Sequence, residues 1–143
     1  MKKSLIILYV FVLLAGCSKK DDAVAPDAGT AVAGMYNVSK VTYDRPGTAS
    51  DYSYTLPTSQ GGKTVSATLV ATRKSEKMVG LFFTQKSTGQ PDEVVDFGEA
   101  ELRANGSNYD MYEGTLKVGT VVSNILTLDV TDGVDRYIII SQK

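Results

Sequence analysis

Between residues 64 and 72, apolar or small side chains alternate with a face of Thr, Ser and Val70, which puts Val65, Ala67, Leu69 and Ala71 on one face of an extended chain. The same period of two recurs to the end of the sequence, with Ile138 and Ile140 sharing a face, and no long helical period interrupts it. Runs rich in Val, Thr, Tyr and Ile, separated by turn residues, predict strands at 35–43, 51–56, 64–72, 77–85, 93–104, 107–118, 124–131 and 134–142. Asn105-Gly106 and Asp132-Gly133 are two-residue turns whose positive φ angles suit antiparallel hairpins. Val95 and Phe97 are out of phase with Ala100 and Leu102, and a slip of one residue beside Gly98 predicts a β-bulge. The fold class is therefore all-β. Eight antiparallel strands joined in order close most economically into an up-and-down barrel, because closure removes both exposed edges. An open or split sandwich is the alternative.

The first 33 residues do not share this pattern. Lys2 and Lys3 precede an unbroken apolar run from Leu5 to Gly16, the n-region and h-region of a secretory signal. The run falls short of the roughly 20 apolar residues a bilayer-spanning helix needs. Leu14-Ala15-Gly16-Cys17 resembles the lipobox of bacterial lipoproteins. The resemblance implies a signal peptide over 1–16, cleavage before Cys17, and acyl chains such as palmitate attached to that cysteine and its diacylglycerol. Each buried acyl CH₂ contributes about 0.8 kcal/mol, so two or three chains make a durable membrane anchor. Ser18, rather than Asp, after the cysteine implies passage to the outer membrane. Lys19-Lys20-Asp21-Asp22 resembles the charged segments that send some lipoproteins to the cell surface, which is favoured over a periplasm-facing location. The composition from 17 to 33, mostly Ala, Asp, Gly and Lys, predicts a flexible tether.

Residues 34–143 then form one domain by the usual size prior. Subtracting Lys2 and Lys3 from the 15 basic side chains leaves 13 against 16 acidic ones, a formal charge of −3. No basic cluster remains to hold nucleic acid.

Gly34-Met35-Tyr36 opening the first strand, the eight-strand count, and the ending Asn124-Ile125-Leu126-Thr127-Leu128 then Tyr137-Ile138-Ile139 resemble the small lipocalin-like domains of bacterial lipoproteins. Lipocalins open their first strand with Gly-x-Trp and hold the Trp under an Arg near the last strand. The resemblance implies that Tyr36 and Arg136 form this structural pair. It further implies a mouth at the far end of the first strand, with Arg45-Pro46-Gly47-Thr48 as its lid. With eight strands running up and down, loops 44–50, 73–76, 105–106 and 132–133 fall at that far end, and 57–63, 86–92 and 119–123 at the membrane end. The longer loops 57–63 and 86–92 make the membrane end a competing site.

The chemistry available is narrow. The sequence has no histidine and Cys17 is its single cysteine, so a Ser-His-Asp triad, thiol catalysis and the usual zinc ligands are absent from it. Glu99 and Glu101 would share a strand face at about 7 Å, but beside Arg103 they read as a solvated face rather than an acid–base pair. Asp129, Asp132 and Asp135 recur at intervals of three, unlike the alternating ligands of a calcium loop. No catalytic residue, metal ligand or cofactor is expected. Tyr52 and Tyr54, on one face of one strand, either form a stacking platform for a ligand or fill the barrel. Ala67, Ala71, Gly80, Gly98, Ala100 and Gly114 would open a cavity if they pointed inward. Two functions fit: a binding module holding a small apolar or amphipathic molecule, with Tyr52, Tyr54 and Arg45 as contacts, or a solid interaction or structural lipoprotein, an enzyme inhibitor included, that meets an envelope protein.

Overall fold

The computed structural model describes residues 25–47 and 51–143. The expected signal peptide, Cys17, residues 18–24 of the expected tether, and Thr48 of the expected lid lie outside them.

A short helix, α1 (Ala28–Val32), precedes ten strands: β1 (Gly34–Asp44), β2 (Tyr52–Thr55), β3 (Thr58–Gln60), β4 (Lys63–Ser75), β5 (Met78–Ser87), β6 (Glu93–Asn105), β7 (Asn108–Glu113), β8 (Leu116–Val122), β9 (Ile125–Asp132) and β10 (Asp135–Gln142). Strands β4 to β10 pair antiparallel in chain order, and β1 pairs with β10 on one side and β4 on the other. This is a closed, eight-stranded antiparallel barrel, as the hydrophobic pattern predicts.

Its eight walls are not the eight strands expected. The expected strand 107–118 is two, β7 and β8, joined by a turn in which Gly114 takes φ +59. The expected strand 51–56 is not a wall. Beyond Asn37, β1 parts from β4, and the seam is filled by β2 bonded to β1 and β3 bonded to β4. Pro57, which has no N–H to donate, sits between the two. Leu56 is buried there, and its amide donates to the Ser39 carbonyl at 2.9 Å.

The additional strand β3 reverses the direction of every strand from β4 to β7, and the additional hairpin at Gly114 restores it. The expected loop placement is corrected accordingly. Hairpins at 76–77, 106–107 and 123–124 share one end, the base, with α1 and Lys143. Residues 45–47 and 51 and the loops 61–62, 88–92, 114–115 and 133–134 share the other end, the mouth. Thus 73–76 and 105–106 lie at the base, while 57–63 and 86–92 have their tips at the mouth.

The base is closed. Residues 28–32, read as tether, form α1. Asp27 caps the helix, accepting from the Thr30 amide at 2.9 Å, and takes two bonds from the Arg73 guanidinium at 3.1 and 3.2 Å. The Gly29 amide donates to the Glu76 carbonyl at 2.9 Å, and a Cβ on Gly29 would collide with the Ser75 carbonyl. Five residues cannot hold a helix by propensity alone. Packing supplies what propensity lacks, with Val32 fully buried in the barrel core. Above it lie Tyr36, Leu69, Leu81, Met111, Leu126 and Leu128, all at 2 % exposure or less.

Candidate functional site

The alternation of β6 decides which residues line the upper barrel. Gly98 takes φ +78, its amide is held by the Asp96 carboxylate at 2.8 Å, and the register against β5 slips there. This is the bulge that the phase slip predicts. Below it Ala100 and Leu102 are buried in the core; above it Glu93, Val95 and Phe97 line a cavity. Phe83, across on β5, meets Phe97 edge-on at 6.4 Å between centroids. Val41, Val130, Tyr137 and Ile139 complete the apolar wall. The space measures about 670 Å³, within the range of small-molecule sites.

Of the small residues, Ala67, Ala71 and Ala100 are buried in the core. Gly98 serves the bulge, Gly114 the turn, and Gly80 lies under the Lys74 side chain.

Tyr52 and Tyr54 both line the cavity. The β1–β2 register sets Tyr52 opposite Tyr43 and Tyr54 opposite Val41. Four rings follow one another along the seam: Tyr137 to Tyr43 at 5.3 Å, Tyr43 to Tyr52 at 5.0 Å, and Tyr52 to Tyr54 at 5.9 Å. Tyr43 is buried and Tyr54 packs against the core, whereas Tyr52 is 53 % exposed at the rim. Tyr54 thus helps to fill the barrel, while Tyr52 presents its ring at the rim. Burial raises the Tyr54 phenol above its ordinary pKa, and the charges of Tyr52 and Glu93 raise it further.

Arg45 is not among the cavity-lining residues. Its guanidinium grips both oxygens of Asp135 and lies 5.9 Å from the Tyr43 ring centroid, and its backbone amide donates to Asp51 at 3.1 Å. Tyr43 donates to the same Asp135 at 3.0 Å. The Arg45 bonds, followed by that of Tyr43, hold the Asp135 carboxyl below its ordinary value. Arg45 therefore ties the end of β1 to Asp51 and to the start of β10.

The expected Tyr36–Arg136 pair is not formed. Arg136 opens β10 at the mouth, where it bonds Asp129 at 2.6 and 2.8 Å. Tyr36 sits at the base, opposite Leu69, and its hydroxyl donates to the Val32 carbonyl at 2.6 Å. The cation on its ring is Lys143, 5.3 Å from the centroid and bonded to the Ala31 carbonyl at 3.2 Å. An antiparallel β1–β10 pairing requires this, since the start of β1 meets the end of β10.

Apart from Asp132, the other sequence candidates lie outside the cavity. Glu101 pairs with Arg103 at 2.7 Å and Glu99 with Lys74 at 3.9 Å, all about half exposed. Asp129 and Asp135 are held by Arg136 and Arg45, and Asp132 lines the cavity. Sequence reasoning missed Phe83, Gln85, Glu93, Glu113 and Tyr137 as lining residues. The phase slip at Gly98 carried the signal for Glu93, Val95 and Phe97. Nothing local marked Glu113, whose position depends on the hairpin that follows it.

No protein-family model matches the chain, and no curated protein does. A solved structure titled "De novo design of a fluorescence-activating beta barrel" is similar at 14 % identity and a TM-score of 0.42, covering 82 % of this chain and 97 % of its own.

Proposed function

We propose that the protein is a lipid-anchored lipoprotein of the outer membrane, displayed at the cell surface, whose barrel binds one small apolar or amphipathic molecule without catalysis. The observation that carries the binding reading is the cavity of about 670 Å³, floored by a packed core and walled by Phe83, Val95, Phe97, Val130, Tyr137 and Ile139. Apolar side chains interspersed with Gln85, Glu93, Asp96, Glu113, Thr131 and Asp132 suit a ligand with an apolar body and a polar group. The chain enters the barrel at the base, beside α1, so the mouth is at the opposite end from the tether. The anchor rests on Leu14-Ala15-Gly16-Cys17.

Native mass spectrometry of the protein purified from membranes tests both parts. The expected spectrum shows lipid mass on Cys17 and a single non-covalent small molecule; Cys17→Ser removes the lipid mass and the membrane association. A protein that never carries a small molecule overturns the cavity reading. A Cys17→Ser chain that stays with the membrane overturns the anchor.

A second reading, an interaction lipoprotein or enzyme inhibitor, has one observation in its favour. Val94, Leu116 and Val134 are each more than 60 % exposed, and all three lie on mouth-end segments. A second protein in the same spectrum, with no small molecule, would favour it.

A further inference from the structure

The ligand-binding reading leaves open which molecule the mouth prefers, and the inference here rests on that reading. Four carboxylates line the cavity: Glu93, Asp96, Glu113 and Asp132. Asp96 is engaged by the Gly98 amide. The other three make no ion pair or side-chain hydrogen bond among the described residues, and no Lys or Arg lines the cavity with them. Elsewhere on the barrel, carboxylates commonly have a cation at hand: Asp92 has Lys86, Asp110 has Lys117, and Asp129 has Arg136. Arg45, beside the tyrosine ladder, is bonded to both oxygens of Asp135.

Uncompensated negative charge around an apolar space acts in one direction on ligands. An anion is repelled, and a neutral molecule gains only from burial. A cation gains from burial, relieves the mutual repulsion of the carboxylates, and finds ring faces that attract positive charge within about 6 Å. Tyr52, Tyr54, Phe83, Phe97 and Tyr137 supply such rings in the same cavity. The influence of Glu93 reaches the phenol of Tyr54, on a strand of the seam, so its charge acts across the cavity.

We infer that the mouth selects a small organic cation, an ammonium-type charge carried on an aromatic or aliphatic body, with Glu93 and Glu113 as the residues that set the charge preference. The body fills the space between Phe83, Phe97 and Val130, and the charge stays at the carboxylate rim.

Three probes of one shape test this: 2-naphthylmethyl-trimethylammonium, 2-naphthylmethanol and 2-naphthylmethanesulfonate, each read by fluorescence anisotropy against the full chain in a bulky sterol-glycoside detergent, with detergent alone as blank. The cation should bind about tenfold more tightly than the alcohol, and the sulfonate most weakly. The double variant Glu93→Gln, Glu113→Gln should bring the cation close to the alcohol while the alcohol keeps its affinity, which also reports that the barrel is intact. Equal binding of cation and alcohol, a preference for the sulfonate, or a cation preference that survives the double variant overturns the inference and leaves the cavity as a site for neutral molecules. If none of the three binds, the ligand-binding reading falls with it.

Discussion

Tyr36 ties α1, just before it, to Lys143, which is far away in sequence: its hydroxyl donates to the Val32 carbonyl at 2.6 Å, and its ring lies under the Lys143 amine. The ring is buried and the carbonyl it serves belongs to a buried residue, so Tyr36→Phe leaves an acceptor unsatisfied. Such a loss costs about 1 to 3 kcal/mol. The expected outcome in urea unfolding is a lower midpoint with an unchanged slope, and a smaller loss for Lys143→Ala. Asp27 offers a pH signature at the same end. The Arg73 side-chain bonds, then the Thr30 amide bond, hold its carboxyl down to about 2 from an ordinary value of 3.8. A folded pKa below the unfolded one stabilises fully above the unfolded value and is lost as pH falls through the folded value. Asp27→Ala should therefore lower the thermal midpoint at neutral pH, and its gap from the natural chain should close between about pH 4 and pH 2. A gap that stays constant down to pH 2 would mean the carboxylate is not what holds α1. The sequence marked Tyr36 as structural but assigned it the wrong cation, because it paired residues by family position rather than by strand direction.

Among the elements, those whose signal is local were legible and those that depend on tertiary packing were not. The bulge at Gly98 shows in the sequence because a change of face leaves two incompatible phases on either side of a glycine. The hairpins near 106 and 133 show because glycine suits positive φ, and Gly106 and Gly133 take φ +63 and +62, but the turn residues are Gly106-Ser107 and Gly133-Val134, one position beyond the expected dipeptides, whose Asn105 and Asp132 pair within the strands. The Gly114 hairpin lacks that dipeptide signature, so β7 and β8 read as one strand. Helix α1 has no amphipathic period and stands on its cap, on buried Val32 and on its hydrogen bonds with Glu76, Tyr36 and Lys143. Gly119, read as part of a loop, is inside β8, where an added Cβ would collide with the Met111 side chain and come within 2.5 Å of the Thr127 carbonyl oxygen. Met111 can yield, but a neighbouring strand's backbone cannot without loosening the ladder. Gly119→Ala should cost about 1 to 3 kcal/mol, like other overpacking changes. A chemical denaturation midpoint equal to that of the natural chain would show that β8 and β9 have more room than their geometry allows.

For the molecule as a whole, the barrel class follows from strand count and turn chemistry, yet which loops share an end does not. One additional short strand reverses every strand from β4 to β7, and the reversal is invisible until β3 is counted. With the ends assigned, the two competing sites become one, because residues 45–47 and the loops 61–62 and 88–92 all surround the same mouth and α1 closes the other end. The central claim is that a small molecule enters at this mouth and rests in the upper barrel. Amide chemical shifts of the ¹⁵N-labelled chain, followed while 2-naphthylmethanol is added, test it residue by residue. Saturable shifts are expected, centred on Tyr54, Val95, Val130 and Tyr137, with Leu69, Leu102 and Leu126 near the base left in place. Shifts spread over the outer faces of the strands, shifts centred on α1, or none at saturating probe would contradict it.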